Sequence, residues 1–145
     1  MCEYCGCDQN AYIRELMDQH DRITDLGDAV VRALHSGDVA RAQTDLAEFT
    51  ALLKNHNDIE ERGIFAAMKE LGEFVELVDD LAGEHVDLHA RLDGFDGPPP
   101  IDEMVTLLAD LALHVERENR GVFPFAYSAF SGAEWAVVDQ AHKAA

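Results

Sequence analysis

The sequence predicts an all-α protein: an antiparallel up-down-up-down four-helix bundle with a short C-terminal helix and an N-terminal cysteine-containing arm. Two observations predict this class. Apolar residues recur every three or four positions through four long stretches, as on a helix that faces a core. No stretch alternates apolar and polar residues in the way that a strand does.

The individual helices are bounded by recognisable breaks. Residues 36–38 end the first helix and offer Asp38 as a cap for the second, which Gly72 interrupts. Residues 94–100 form a loop rich in glycine and proline, and residues 131–134 resemble a capping box that starts the short last helix. In each of the four predicted helices the recurring apolar residues form a stripe along one face. From the first helix to the fourth, the stripes comprise Ile13, Leu16, Ile23, Val30 and Leu34; Leu46, Phe49, Leu53, Ile64 and Leu71; Phe74, Val78, Leu81, Leu88 and Leu92; and Met104, Leu108, Leu111, Val122 and Phe125.

Length and charge limit the classes of function. We expect an arm over residues 1–9 and one bundle domain over residues 10–145. The net charge of −18, from 29 acidic and 11 basic residues, makes nucleic acid and membrane partners unfavourable. No apolar run reaches the roughly 18 residues that cross a bilayer, and no signal peptide is recognisable. The expected location is therefore cytoplasmic.

Polar residues occupy positions on the stripes where a core residue is expected. They are His20 in the first helix, His56 and Glu60 in the second, His85 and His89 in the third, and His114 and Glu118 in the fourth. A single histidine on a helix stripe is more often an ordinary core residue than a ligand. The combined set is different, because a buried carboxylate without a partner costs several kcal/mol and a domain has only about 5–15 kcal/mol in total. Five imidazoles and two carboxylates in one core predict two metal ions that neutralise them.

The depth of these residues along the bundle supports a common site, with one exception. His20 is nearly level with His56 about the first turn, and Glu60 is level with His85 about the second. His89 and His114 differ by roughly 13 Å at 1.5 Å per residue, an offset that the third loop and a longer fourth helix must absorb.

At this point the residues resemble the haemerythrin-like proteins, the HHE cation-binding family. The resemblance rests on a lone histidine in the first helix, His-x-x-x-Glu in the second, His-x-x-x-His in the third and His-x-x-x-Glu in the fourth, and it covers about residues 10 to 140. The ligand types alone suit several metals, so iron is implied by the resemblance. It further implies that one iron binds His85, His89 and His114, that the other binds His20 and His56, and that Glu60 and Glu118 bridge them.

The resemblance also implies an open position on the second iron, where dioxygen, nitric oxide or peroxide binds. The invertebrate oxygen carriers have His-x-x-x-x-Asp in the fourth helix, whereas His114 and Glu118 have the shorter spacing of the bacterial branch. That branch includes sensors, peroxide-handling proteins and iron-centre repair proteins. Three hypotheses stay open: a binding protein for sensing, storage or delivery; a di-iron oxidoreductase that consumes peroxide or reduces a small oxidant, with a redox partner protein; and a metal-handling protein.

Three cysteines cluster in the arm, at Cys2, Cys5 and Cys7. Together with His142, at the same end of an up-down-up-down bundle, they could form a second site for zinc or another metal. Cys2 and Cys5 could instead form a redox-active dithiol, and the cluster could also be a tail with incidental thiols. Spacing alone leaves these alternatives open.

Overall fold

A computed structural model describes residues 6–144, which are almost entirely helical. Ordinary capping interactions determine where the helices begin. The Asn10 side chain accepts hydrogen bonds from the backbone N–H groups of Tyr12 and Ile13 at the start of α1 (Ala11–Ser36). Asp38 accepts from the N–H of Arg41 and caps α2 (Val39–Glu60), as the sequence predicts.

Two of the long helices contain a π-helical segment in the middle. The first segment (Glu61–Phe65) joins α2 to α3 (Ala66–Leu71), and the second (Glu118–Val122) joins α5 (Ile101–Arg117) to α6 (Phe123–Ala129). Between them lies α4 (Val75–Asp93), and α7 (Gly132–Lys143) ends the chain. Each π-helical segment begins at or directly after a predicted ligand, Glu60 or Glu118. π-helical turns are frequent at functional sites.

Four helices surround the core. Helix α1 packs along α2 and also contacts α5, and α4 contacts both α5 and α2. The ring of contacts is consistent with the predicted bundle, and no strand occurs within residues 6–144.

The core consists of two apolar clusters. One contains Ile13, Leu16, Ile59, Phe65, Leu81 and Phe123, and the other contains Ile23, Phe49, Leu53, Leu88 and Leu111. In each of α1, α2 and α4, a buried histidine lies in the sequence between a residue of the first cluster and one of the second. The polar residues therefore separate two apolar regions that hold the helices together.

The short C-terminal helix packs on the bundle, as predicted. Trp135 stacks on Tyr12 of α1, with ring centroids 5.9 Å apart, and Phe130 meets Trp135 edge to face. The predicted capping box is present, since the Glu134 carboxylate accepts a hydrogen bond from the Ser131 N–H.

Two stripe positions were predicted wrongly. Leu71, the last residue of α3, is 39% exposed because the helix ends there at Gly72. Phe74 directly precedes the first residue of α4 and is 53% exposed. Its φ of 52° lies in the left-handed region of backbone conformation. It lies in the turn after Gly72, so the helical period does not extend to it. None of the helices within the described part of the chain is long and apolar enough to cross a membrane.

Candidate metal centre

Six of the seven predicted ligands meet in the middle of the bundle. Their nitrogen and oxygen atoms form two groups, and within each group all ligand atoms lie within 4.8 Å of one another. One group consists of His20, His56, Glu60 and Glu118, and the other consists of His85, His114, Glu60 and Glu118. The two glutamates belong to both groups, so they are placed to bridge two ions.

The four buried histidines are held by hydrogen bonds on the side away from the centre. In each of them Nδ1 contacts an oxygen of another helical element. The pairs are His20 with Asn119 Oδ1 (3.1 Å), His56 with Gln19 Oε1 (2.6 Å), His85 with Glu61 Oε2 (2.9 Å) and His114 with Glu84 Oε1 (2.8 Å). An oxygen acceptor fixes the proton on Nδ1 and leaves the lone pair of Nε2 for the centre, as in metal-binding histidines generally.

The inward-facing atoms lack the hydrogen bonds that buried polar groups normally have. Both carboxylate oxygens of Glu60 and Glu118 are buried without a hydrogen-bond partner, as are Nε2 of His20 and His56. His56 Nε2 lies 2.8 Å from Glu60 Oε1 without the geometry of a hydrogen bond. Such groups are costly unless a cation coordinates them.

In the second group two imidazole nitrogens face each other at a short distance, and a cation between them would remove their repulsion. His85 Nε2 and His114 Nε2 lie 3.0 Å apart. Because Glu61 and Glu84 accept the Nδ1 protons, the two facing nitrogens are both acceptors when the rings are neutral. A proton or metal ion between the lone pairs turns this repulsion into attraction.

Burial and neighbouring charges shift the pKa values of the glutamates and of His56 strongly. Burial and the negative charge of Glu118 raise the pKa of Glu60 well above its ordinary value. Burial alone would also raise the pKa of Glu118, but the close imidazoles of His114 and His20 hold it well below the ordinary value. Burial and the neighbouring His20 lower the pKa of His56 well below its ordinary value, which favours the neutral form that binds metal.

His89 is the predicted ligand that the structure leaves outside both groups. It is half-buried, and its Nε2 lies 2.9 Å from Nδ2 of the buried Asn57. Its ring is parallel to that of His85, with centroids 6.4 Å apart. The depth offset calculated from the sequence explains this position, because His85, one turn deeper, is the residue that meets His114.

The structure bears only partly on the cysteine arm. Cys2 and Cys5 lie outside the described residues, whereas Cys7 is fully buried beside the first apolar cluster. His142 Nδ1 bonds Glu15 Oε2 at 2.9 Å, and its ring meets Tyr12 edge to face. Among residues 6–144 neither Cys7 nor His142 belongs to a potential metal-binding group, so the predicted second site stays a prediction.

The hydrogen-bond partners of the histidines were not predicted from the sequence. Gln19, Glu61, Glu84 and Asn119 are each adjacent in sequence to a ligand, directly before His20 or His85 or directly after Glu60 or Glu118. A polar residue beside a ligand points along a different helix face, toward the neighbouring helix. This adjacency was the available signal.

Comparison with known proteins agrees with the geometry. A family model described as "Hemerythrin HHE cation binding domain" matches residues 11–126, a range that includes all seven predicted ligands. Comparisons with curated proteins and with solved structures gave no match.

Proposed function

Since the chain belongs to the family of hemerythrin HHE cation binding domains, we propose that it is a non-haem di-iron protein that binds dioxygen or another small ligand. Nitric oxide and peroxide are the other candidates, and the role would be sensing, storage or delivery. The observation that carries the proposal is the sharing of two buried carboxylates without hydrogen-bond partners, Glu60 and Glu118, between two groups of histidines.

The donor set supports the following assignment of residues to the two ions. His20 and His56 would bind one ion, His85 and His114 the other, and Glu60 and Glu118 would bridge them; His89 is the further ligand that the resemblance implies. When bound, the ions supply the capacity to coordinate and reduce a small oxidant. Carboxylate bridges favour iron or manganese over softer metals. The predicted antiparallel order of the helices is part of the proposal.

Apolar residues next to His20 and His56, whose Nδ1 atoms contact the side-chain amides of Asn119 and Gln19, favour the binding of a small ligand. A space too narrow for a water molecule lies beside His20, His56 and also His114, and its apolar walls include Ile23, Leu53 and Leu111. Exclusion of water protects a bound ligand from protonation and loss.

Metal analysis tests the proposal first. After anaerobic loading with ferrous iron and removal of excess metal, we expect about two irons per chain, and Glu60→Ala or Glu118→Ala should lose them. Glu116→Ala is the matched control, because this exposed acid lies on α5 and pairs with Arg120 on the surface. Fewer than two irons, or equal content in all three variants, would contradict the di-iron centre.

Exposure of the reduced protein to air then separates binding from enzymatic activity. A stable visible absorption band that disappears under vacuum supports reversible ligand binding. Rapid one-way oxidation with turnover of added peroxide contradicts it and supports the oxidoreductase alternative.

A further inference from the structure

The two halves of the bundle repeat each other around the centre. His56 and His114 each begin the pattern His-x-x-x-Glu-x-Arg-Gly, followed by isoleucine or valine and then phenylalanine, over residues 56–65 and 114–123. Both copies continue into a π-helical segment. Each half also supplies a histidine from its preceding helix, His20 or His85.

The repeat extends to the aromatic residues that cover the histidines. Phe123 stacks on His20, with centroids 5.8 Å apart, and Phe65 stacks on His85 at 5.6 Å. These equivalent contacts give the two sides the same apolar cover. The two sides do differ at another point of the repeat.

That difference lies in the partners of Nδ1. The residue before the first histidine is Gln19 in one half and Glu84 in the other, and the residue after the bridging glutamate is Glu61 in one and Asn119 in the other. Glu61 and Asn119 contact a histidine of the opposite half, whereas Gln19 and Glu84 contact one of their own half. As a result both amides support one side and both carboxylates support the other. We call the space between His20 and His56 the amide position, and the space between His85 and His114 the carboxylate position.

A carboxylate that accepts the Nδ1 proton makes an imidazole a stronger metal ligand than a neutral amide does. The contact distances on the two sides overlap, at 2.8 and 2.9 Å for the carboxylates and 2.6 and 3.1 Å for the amides, so charge, and not contact length, distinguishes the two pairs of partners. Glu61 and Glu84 are partly exposed, and Glu84 also pairs with Arg117, which reduces their effect without removing it.

From this arrangement we propose that the two metal positions are unequal, and that the carboxylate position binds its ion first and more tightly. The amide position is the weaker and more exchangeable one, and both of its histidines line the narrow apolar space, whereas the carboxylate position contributes only His114 among its histidines to the described lining. The inference rests on the proposed di-metal function and adds an order of loading to it. Glu61 and Glu84 act as positioning residues through His85 and His114.

Stepwise metal binding tests the inference without any activity assay. Metal-free protein titrated with Co²⁺, followed by calorimetry and visible absorption, should bind two ions in steps that differ at least tenfold in affinity. Partners of metal-bound histidines typically change metal affinity by about 10–100-fold. In Glu61→Gln/Glu84→Gln the first step should weaken by a factor of this order, so that the two steps merge.

The reverse exchange and a matched control make the test specific. Gln19→Glu/Asn119→Asp should strengthen the second step and leave the first unchanged. Asp58→Asn/Glu116→Gln, which alters acids that pair with Arg62 and Arg120, should change neither step. Circular dichroism before the titration verifies that each variant is helical.

Single histidine variants assign the steps to the positions. His20→Ala should retain the tight step, and His85→Ala should retain only the weak one. The reverse assignment, or two steps that the partner exchanges leave unaltered, would overturn the inference while the di-metal site stands. The second of these results would point to His89 as the source of the inequality. A wild-type protein that binds fewer than two ions would refute the proposed function as well.

Discussion

At the scale of single residues, the electrostatic cost of the centre is concentrated at Glu60. We expect Glu60→Gln to stabilise the metal-free protein at neutral pH, although it weakens metal binding. The pKa of Glu60 in the folded chain is raised well above the ordinary 4.5, chiefly by burial. The folded state therefore keeps a proton that the unfolded state releases above about pH 4.5, and stability falls as the pH rises toward the raised pKa.

Urea unfolding between pH 4 and 8, with a chelator present, measures this effect. The advantage of Glu60→Gln over the wild type should be smallest below pH 4.5 and should grow with pH. The exposed substitution Glu116→Gln should not reproduce that trend. If the stability difference between Glu60→Gln and the wild type is constant or decreases with pH, then ionisation of the buried Glu60 carboxyl does not destabilise the metal-free protein.

His89 provides a second prediction at this scale. Because its Nε2 contacts Asn57 and lies outside both ligand groups, His89→Ala should lower metal content less than His85→Ala does. Plasma emission spectrometry of the purified, iron-loaded variants gives the content directly. If His89→Ala loses an ion as completely as His85→Ala, then His89 is a ligand, as the family resemblance implies, and it leaves Asn57 when metal binds.

At the scale of elements, the sequence predicted what short-range chemistry decides. Asp38 and Ser131 cap helices because each residue bonds to a group three positions away, and such an interaction can be recognised within one short stretch of sequence. The π-helical segments were not predicted, because one extra residue in a turn leaves the apolar pattern nearly unchanged. The position of His89 depends on how deep α4 lies against α5, which no single helix encodes.

The two π-helical segments allow a matched comparison of close packing. A Cβ atom at Gly63 would lie 3.2 Å from Ala141 Cβ of α7, whereas one at the equivalent Gly121 would meet Leu77 Cδ2 at 3.7 Å, an ordinary contact. Gly63→Ala should therefore be less stable than Gly121→Ala by about 1–3 kcal/mol, the usual cost of overpacking. The gain in helix propensity is the same in both variants and cancels. Equal free energies of unfolding would mean that α7 shifts to accommodate the added Cβ atom at Gly63 without loss of stability.

At the scale of the whole molecule, metal binding and folding are coupled through the middle of the core. The ligands come from α1, α2, α4, α5 and the second π-helical segment, and they separate the two apolar clusters. Two ions at this place would connect all four of the helices that surround the core. A metal that binds only the folded chain stabilises it by about 4 kcal/mol at a thousandfold excess over its Kd. We expect iron or cobalt to raise the melting temperature by roughly 10 °C, since 1 kcal/mol corresponds to about 2–4 °C at this size.

The net charge of −18 makes a control for this prediction necessary, because any divalent cation also reduces repulsion between surface acids. Mg²⁺ at the same concentration provides that control, since it prefers oxygen ligands and retains its water. The specific increase is the part that Co²⁺ adds beyond Mg²⁺ in calorimetric melting. Glu60→Gln/Glu118→Gln should respond to the two ions equally, because it keeps the surface charge and loses the bridging carboxylates. An equal response in the wild type would mean that the ions stabilise only its acidic surface, and that the core histidines do not couple metal binding to folding.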